Sequence, residues 1–491
     1  MPMYCAALDV GASGGKLFCG RFDGDRLSLE TIHRFPHGPV SLQGNLYWDF
    51  LFLYQQMLQG LQKAAARTGK EMRSFGVDTF SNDFSFVDPA GRLLSPVFCY
   101  RDRRTQLRQA EIFSRISPKE LYFSSGNQVA LFNTAMQLGA MAAEGSPLLS
   151  PGSHRLLLLP DLLCYYLTGE MAGEYTVCSV SQLLDFSTRD WHGEILDRLT
   201  IPRELLPNIV EPGTPRGKIS NIIRSETALP DMDVISVCEH DTASAFLASV
   251  AEEPAILISS GTWALVGLET DGPVINELGY RYNVANEGSC LGHHRVLKNV
   301  MGNWLFQQLK AEYHSRGEEY DYPDFERLAA QAPACRMLVD VDHPDFFTPG
   351  DVIGKLRQRA VYPGQTPPDD VRTYARCVYD SLALKYRWCV EKLEEVTGLH
   401  RNVINVMGGG ARDTLSCQLT ANACARRVIS GPYEATALGN AMLQLISRGE
   451  LRNVTQGRSV LRASFGAKEY TPEHPDFWNE QYQYFCEVFS L

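Results

Sequence analysis

At 491 residues, with 44% hydrophobic and 21% charged side chains, the chain has a globular composition and the length for two or three cores. Its formal net charge of -11 argues against nucleic acid or an anionic membrane surface as the main partner. The 13 cysteines are scattered with no C-x-x-C, and neither a signal pattern nor an apolar run of about 20 residues occurs, so buried reduced thiols in a soluble cytoplasmic protein are expected.

The predicted elements begin with three short apolar runs, Tyr4 to Val10, Lys16 to Phe22 and Leu27 to Phe35, parted by Gly11 to Gly15 and by Asp23-Gly24-Asp25. Such turns favour antiparallel neighbours. After Trp48-Asp49 the apolar period changes: Leu51, Tyr54, Leu58, Leu61 and Ala65 mark an amphipathic helix closed by Gly69. Ser74 to Val77 and Phe84 to Val87 read as strands flanking the polar loop 78–83, and loops at strand ends are where ligands sit in α/β sheets.

The opening theme returns in the second half, where the strand Ala255 to Ser259, a turn at Gly261 and the strand Trp263 to Leu268 suggest a duplicated domain. The expected division is 1–248 and 249–491, with no biased linker to mark it. Val378, Leu382, Tyr386, Cys389 and Leu393 indicate a long helix ending at Gly398. A strand at Val403 to Met407, the glycines Gly408 to Gly410, a helix from Asp413, a strand at Arg427 to Ile429 and a helix from Glu434 to Ser447 complete an α/β layer. The aromatic tail Phe477, Trp478, Tyr482, Tyr484 and Phe485 reads as a packed terminal helix.

Three glycine turns, each following a strand, suit phosphate binding, because glycine lets several backbone N–H groups converge on one anion. Neither G-x-x-x-x-G-K-[ST] nor a dinucleotide fingerprint is present. In the segment 9–16 a carboxylate at a strand end faces a glycine hairpin carrying a hydroxyl and a cation. Asp9 there suits Mg²⁺ held through water, Ser13 and the amides suit a γ-phosphate, and Lys16 offsets charge. Asp241 follows the apolar run Val234 to Val237 and opens a small-residue helix. Alone it reads as a helix N-cap, with His240 a packed histidine; beside a phosphate site it reads as a base for an attacking hydroxyl. Asp340, Asp342 and Asp345 lack the glycine and closing glutamate of a calcium loop.

A series of strings runs nearly end to end: LDVGASGGK at 8–16, YRDRRT at 100–105, FNTAMQL at 132–138, LPDLLCYYLTG at 159–169, EYTVCSVSQLLD at 174–185, HDTASA at 240–245, SSGTWALVG at 259–267, RVLKNVMGNWLFQ at 295–307 and VMGGGARDTLSCQLTANA at 406–423. In this order they resemble the FGGY carbohydrate kinases of the actin-like ATPase superfamily. The resemblance implies an α/β fold of two ribonuclease-H-like domains around an interdomain cleft, closing over sugar and ATP·Mg²⁺. It implies that Asp241 is the general base and that His240, Thr242, Asn299 and the loop residues Ser81, Asn82 and Asp83 meet the sugar. Ala12, Ser13, Gly14, Gly15 and Lys16 would cradle phosphate, Thr262, Gln307 and Gly408, Gly409 and Gly410 would serve the nucleotide, and Asp9 the metal. The first domain would thus bind sugar and phosphate, the second the nucleotide.

Two departures bear on specificity. Related family members carry Trp-Gly-Val-Asp where this chain has Phe80-Ser81-Asn82-Asp83, and their glycine contacts sugar; Lys16 stands where arginine is frequent. A ketose phosphorylated at a primary hydroxyl is the expected substrate, with another ketose or polyol as the alternative and an actin-like ATPase without sugar transfer behind it. The partners expected are a small sugar, no nucleic acid and no membrane, with the oligomeric state left open.

Overall fold

A computed structural model describes residues 2–152 and 154–491. The chain forms two compact units. The first comprises Met1–Ala248, Glu269–Val296 and Thr436–Ser464; the second comprises Ser249–Leu268, Leu297–Ala435 and Phe465–Leu491. Two stretches of the C-terminal half thus return to the first unit.

In the first unit β1 (Met3–Gly11), β2 (Gly14–Phe22) and β3 (Leu27–Pro36) form the antiparallel meander expected from the turns. Beyond β1 lie β4 (Met72–Thr79), β5 (Pro215–Lys218) and β6 (Asp233–Ile235), in the sheet order β5–β6–β4–β1–β2–β3. The β1/β4 and β4/β6 pairs are parallel, which brings the carboxyl ends of those strands to one edge. Helix α1 (Phe50–Arg67) buries Phe50, Leu53, Met57, Leu61, Ala64 and Ala65, and Asp49 caps it by accepting from Phe52 N at 3.0 Å. Its buried face joins Leu8, Leu17, Phe75 and Val77 in one core.

The second unit repeats the scheme. β7 (Ile256–Ser260) and β8 (Trp263–Thr270) form a hairpin, and β9 (His294–Met301), β10 (Val403–Met407), β11 (Arg427–Ser430) and β12 (Lys468–Tyr470) extend it in the order β9–β8–β7–β10–β11–β12. β7, β10 and β11 run parallel. The long helix spans Val371–Thr397, a full two turns longer at its start than the apolar marks imply, because Asp370 caps it by accepting from Thr373 N at 2.9 Å. Gly398, in the left-handed region, ends it. The terminal helix Pro475–Phe489 packs Trp478, Tyr482 and Phe485 inward. All 13 cysteines are free thiols and all but the half-buried Cys486 are buried. Among the described residues no helix is long and apolar enough to cross a membrane.

Candidate active site

The first unit gathers three carboxylates at one sheet edge. Register pairs Asp9 with Asp78 and Val10 with Thr79 across the parallel β1/β4 ladder. Thr79 forms a bridge with His240, donating its N–H to Glu239 O at 2.9 Å, while Phe80 N donates to Val10 O at 3.2 Å. Asp78 is fully buried, and burial first, then Asp9 and Asp241, push its carboxyl well above the usual range against the pull of Asn440. Asn440 Nδ2 donates to Asp78 Oδ2 at 2.7 Å, whereas Asp78 Oδ1 has no hydrogen-bond partner.

The hairpin 11–14 turns at Ala12-Ser13, with Ser13 exposed at its tip and Gly11 opposite Gly14. Gly15 is glycine for a packing reason: an added Cβ would lie 2.1 Å from Cζ of Phe35. Lys16 pairs with Asp9 across the β1/β2 ladder. His37, which has no recognisable sequence signal, donates from Nε2 to Gly11 O at 2.7 Å and so holds the hairpin's first glycine.

Asp241 is the first residue of α2 (Asp241–Leu247), and His240 occupies the N-cap position without a side-chain capping bond. The capping role open to Asp241 from sequence is therefore not the one it plays. Its Oδ1 accepts from Thr242 N at 2.5 Å and Thr242 Oγ1 at 3.0 Å, and His240 Nε2 lies 3.4 Å away. Thr242 thus holds Oδ1, while the side chain as a whole is 32% exposed. Behind it, Glu174 Oε2 accepts from Glu239 N at 3.0 Å and Thr176 Oγ1 from His240 N at 3.3 Å, anchoring the segment that enters α2. Burial pushes Glu174 up to about 7 against those hydrogen bonds.

The loop 80–83 is largely committed to the protein. Asn82 takes the left-handed φ of 77° that asparagine tolerates, and its Oδ1 accepts from Thr134 N at 3.1 Å at the start of the helix Thr134–Ala143. Asp83 Oδ2 accepts from Trp48 Nε1 at 2.5 Å and Tyr100 N at 3.1 Å, and its Oδ1 from Gln137 Nε2 at 3.0 Å. Burial lifts its carboxyl to about 7 despite these donors. Ser81 is half-buried, its Oγ accepting only from Asn82 Nδ2 at 3.1 Å. Phe80 packs on Trp48 with ring centroids 4.6 Å apart.

The second unit assembles a separate group. The β7/β8 turn at Gly261-Thr262 is tied to the next helix, Trp304–Ser315, by Asn303 N to Gly261 O at 3.0 Å and Trp304 N to Thr262 O at 3.1 Å. Gln307 Nε2 donates to Thr262 Oγ1 at 3.1 Å. Gly302 permits this approach, since a Cβ there would lie 2.8 Å from Ala264 N. Gly408 adopts φ 81°, and a Cβ would lie 3.1 Å from Ser260 O; at Gly410 it would lie 2.0 Å from Ser260 Oγ. Around Gly409 nothing stands within 4 Å of that position. The outer glycines close on β7 and the middle one faces open space. Asn299, in β9, leaves its Oδ1 buried without a hydrogen-bond partner. Asp340 and Asp342 form no cation loop: Lys385 pairs with them at 2.8 and 3.4 Å.

Two α/β units, each ending in a glycine-rich strand turn and one presenting a poised carboxylate, define a phosphotransferase of the sugar-kinase class. Residues 4–248 match the N-terminal domain of the FGGY family of carbohydrate kinases and residues 256–448 its C-terminal domain, and the chain belongs to that family. It is 37% identical over 491 residues to a rhamnulokinase of Enterococcus faecalis, covering 99% of this chain and 98% of the relative. A rhamnulokinase of Bacteroides thetaiotaomicron is 36% identical over 487 residues, covering 98% of each. The expected fold is shared with a gluconate kinase from Lactobacillus acidophilus (TM-score 0.83, 16% identity, 99% and 98% of the chains). A Plasmodium falciparum glycerol kinase with ADP also shares it (TM-score 0.80, 14% identity, 100% and 98%).

Proposed function

We propose that this carbohydrate kinase transfers the γ-phosphate of ATP to the primary hydroxyl of L-rhamnulose, giving L-rhamnulose 1-phosphate. The reading rests on one observation above all: Asp241, with Oδ1 held by Thr242 and its side chain 32% exposed, follows the bridge that joins His240 to the sheet edge carrying Asp9 and the 11–14 hairpin. Asp241 Oδ2 accepts the hydroxyl proton as the sugar oxygen attacks the γ-phosphorus, and the bond to the β,γ-bridging oxygen breaks to release ADP. His240, Thr242 and Ser81 orient the sugar, and Asn299, whose buried amide oxygen lacks a hydrogen-bond partner among the described residues, is a further sugar-binding residue. Asn82 and Asp83 act by fixing the shape of the loop that presents Ser81.

Ala12, Ser13, Gly14, Gly15 and Lys16 approach the phosphates, while Thr262, Gln307 and Gly408 to Gly410 serve the nucleotide, with the open face of Gly409 fitting an adenosine. The carboxylate oxygen of Asp9 suits Mg²⁺, which takes one or two carboxylates together with substrate phosphates. Among the described residues no group of three or more His, Cys, Asp and Glu is placed to hold a metal. When bound it offsets charge on the phosphates. The domains proposed, 1–248 for sugar and phosphate and 249–491 for nucleotide, work in the cytoplasm on a free sugar.

Ser81 and Asn82 in place of glycine and valine are the reason to test the sugar directly. A coupled ADP assay over L-rhamnulose, L-fuculose, L-xylulose, D-xylulose, D-fructose and glycerol is expected to give turnover confined to L-rhamnulose. Higher kcat/KM on another ketose would reassign the substrate, since a pocket built for one hydroxyl pattern rejects others by about 10⁴.

A further inference from the structure

His240 lies against an ion pair that the transfer reaction does not itself require. Arg295 is wholly buried, with side-chain exposure of 0%, and Glu287 nearly so at 4%; Arg295 Nη2 and Glu287 Oε2 stand 2.9 Å apart. Burying a guanidinium is costly unless each of its donors is satisfied, and here Nη1 has no partner. The remaining donors are aimed: Nε donates to Gly288 O at 3.1 Å, and Nη2 donates to His240 Nδ1 at 3.2 Å. The guanidinium also sits 5.9 Å from the centre of the Phe246 ring, on the helix that Asp241 begins. Glu287 Oε2 is 3.3 Å from the same Nδ1 yet carries no hydrogen bond. On the opposite side of the ring, His240 Nε2 faces Asp241 Oδ1 at 3.4 Å.

Arginine can only donate, so a neutral His240 that accepts at Nδ1 must carry its proton on Nε2. If the ring gains a second proton, Nδ1–H finds the waiting Glu287 Oε2, and Nε2 keeps its own. The remaining form, neutral with the proton on Nδ1, can reach Glu287 Oε2 but sets its N–H against the Nη2 donor of Arg295 and a lone pair against the carboxylate of Asp241. We propose that Arg295 and Glu287 are positioning residues that lock His240 with a proton on Nε2, directed at Asp241 Oδ1, so that Oδ2 is left as the basic oxygen. The last clause rests on Asp241 being the base; the tautomer lock does not.

The test separates the two. Nitrogen-15 spectra of the histidine rings in the full chain, recorded in alkaline buffer, report which nitrogen is protonated, and the His240 signal among eleven histidines is assigned by its loss in His240→Gln. The expected result is a protonated Nε2 and a bare Nδ1. Arg295→Met should raise the Nδ1–H form and lower kcat about 10²-fold with the ATP KM kept, the size of a misplaced reacting group. Should that variant not fold because Glu287 is left unpaired, Arg295→Met/Glu287→Gln removes the buried charge while keeping an amide oxygen beside Nδ1, and should also raise the Nδ1–H form. A wild-type His240 protonated on Nδ1, or an unaltered Nε2–H form without Arg295, overturns the proposal. An active Asp241→Asn enzyme would remove the base and leave these spectra as expected.

Discussion

Gly439→Ala sets helix propensity directly against tertiary packing. Gly439 lies inside the helix Ala435–Ser447, where alanine is favoured over glycine by about 1 kcal/mol, so local reasoning predicts a stabilised protein. An added Cβ, however, would lie 1.8 Å from Ser244 O, 2.7 Å from Ser244 C and 3.2 Å from Ser244 Cα, all of them backbone of the helix that begins at Asp241. A carbon and a carbonyl oxygen come no closer than about 3.3 Å, so the two helices must part by roughly 1.5 Å. Overpacking of this kind costs about 1–3 kcal/mol, and displacing a catalytic group by about 1 Å costs about 10²-fold in rate. Thermal unfolding and the coupled ADP assay are expected to show a lower Tm and a kcat reduced by that order. Gly457→Ala is the control: its Cβ meets Met442 Sδ at 2.2 Å and Cγ at 2.6 Å, atoms of an unbranched side chain that can turn aside rather than of backbone, and turnover should survive. A Gly439→Ala enzyme with raised Tm and normal kcat would refute the reasoning.

Gly409→Ala should leave Tm unchanged, because no atom stands within 4 Å of the new methyl, yet raise the KM for ATP several-fold; an unchanged KM would place the nucleotide elsewhere. Gly408→Ala, forced to keep φ 81° with its methyl 3.1 Å from Ser260 O, should lose about 1–2 kcal/mol of stability, read from the denaturant midpoint. Asp83 titrates near 7 folded against 3.8 as a free carboxyl, so the folded state holds its proton longer and this residue's contribution falls as pH rises from about 4 to 7. Asp83→Asn should lack that slope while losing about 1–3 kcal/mol, since an amide donor then faces Trp48 or Gln137; parallel pH profiles for the two proteins would contradict the assignment.

What was legible in the sequence was local. The hairpin 11–14 and the strand-to-glycine step at Gly408 declare themselves within a few residues through turn chemistry, and α1 declares itself as a helix but not its buried face, since Leu51 is 71% exposed while Phe50, Leu53 and Met57 turn inward. The contacts that hold Asp241 in place carry no such signal. Asn440 reaches Asp78 from 362 residues away, Gly439 is glycine because of Ser244, and Arg295 serves His240 from 55 residues on. An asparagine and a glycine in a helix look ordinary until the partner is seen. The same holds for Asn82 Oδ1 and the Asp83 carboxylate, whose partners Thr134, Trp48, Tyr100 and Gln137 no local pattern announces.

The central claim is that one carboxylate, Asp241, takes the sugar's proton. Asp241→Asn keeps the side chain's size and an oxygen for Thr242 N, so the protein should fold and bind ATP as before. With L-rhamnulose and saturating ATP its kcat should fall by about 10²–10⁴, the usual worth of a positioned base. Turnover close to that of the unaltered enzyme would contradict the account.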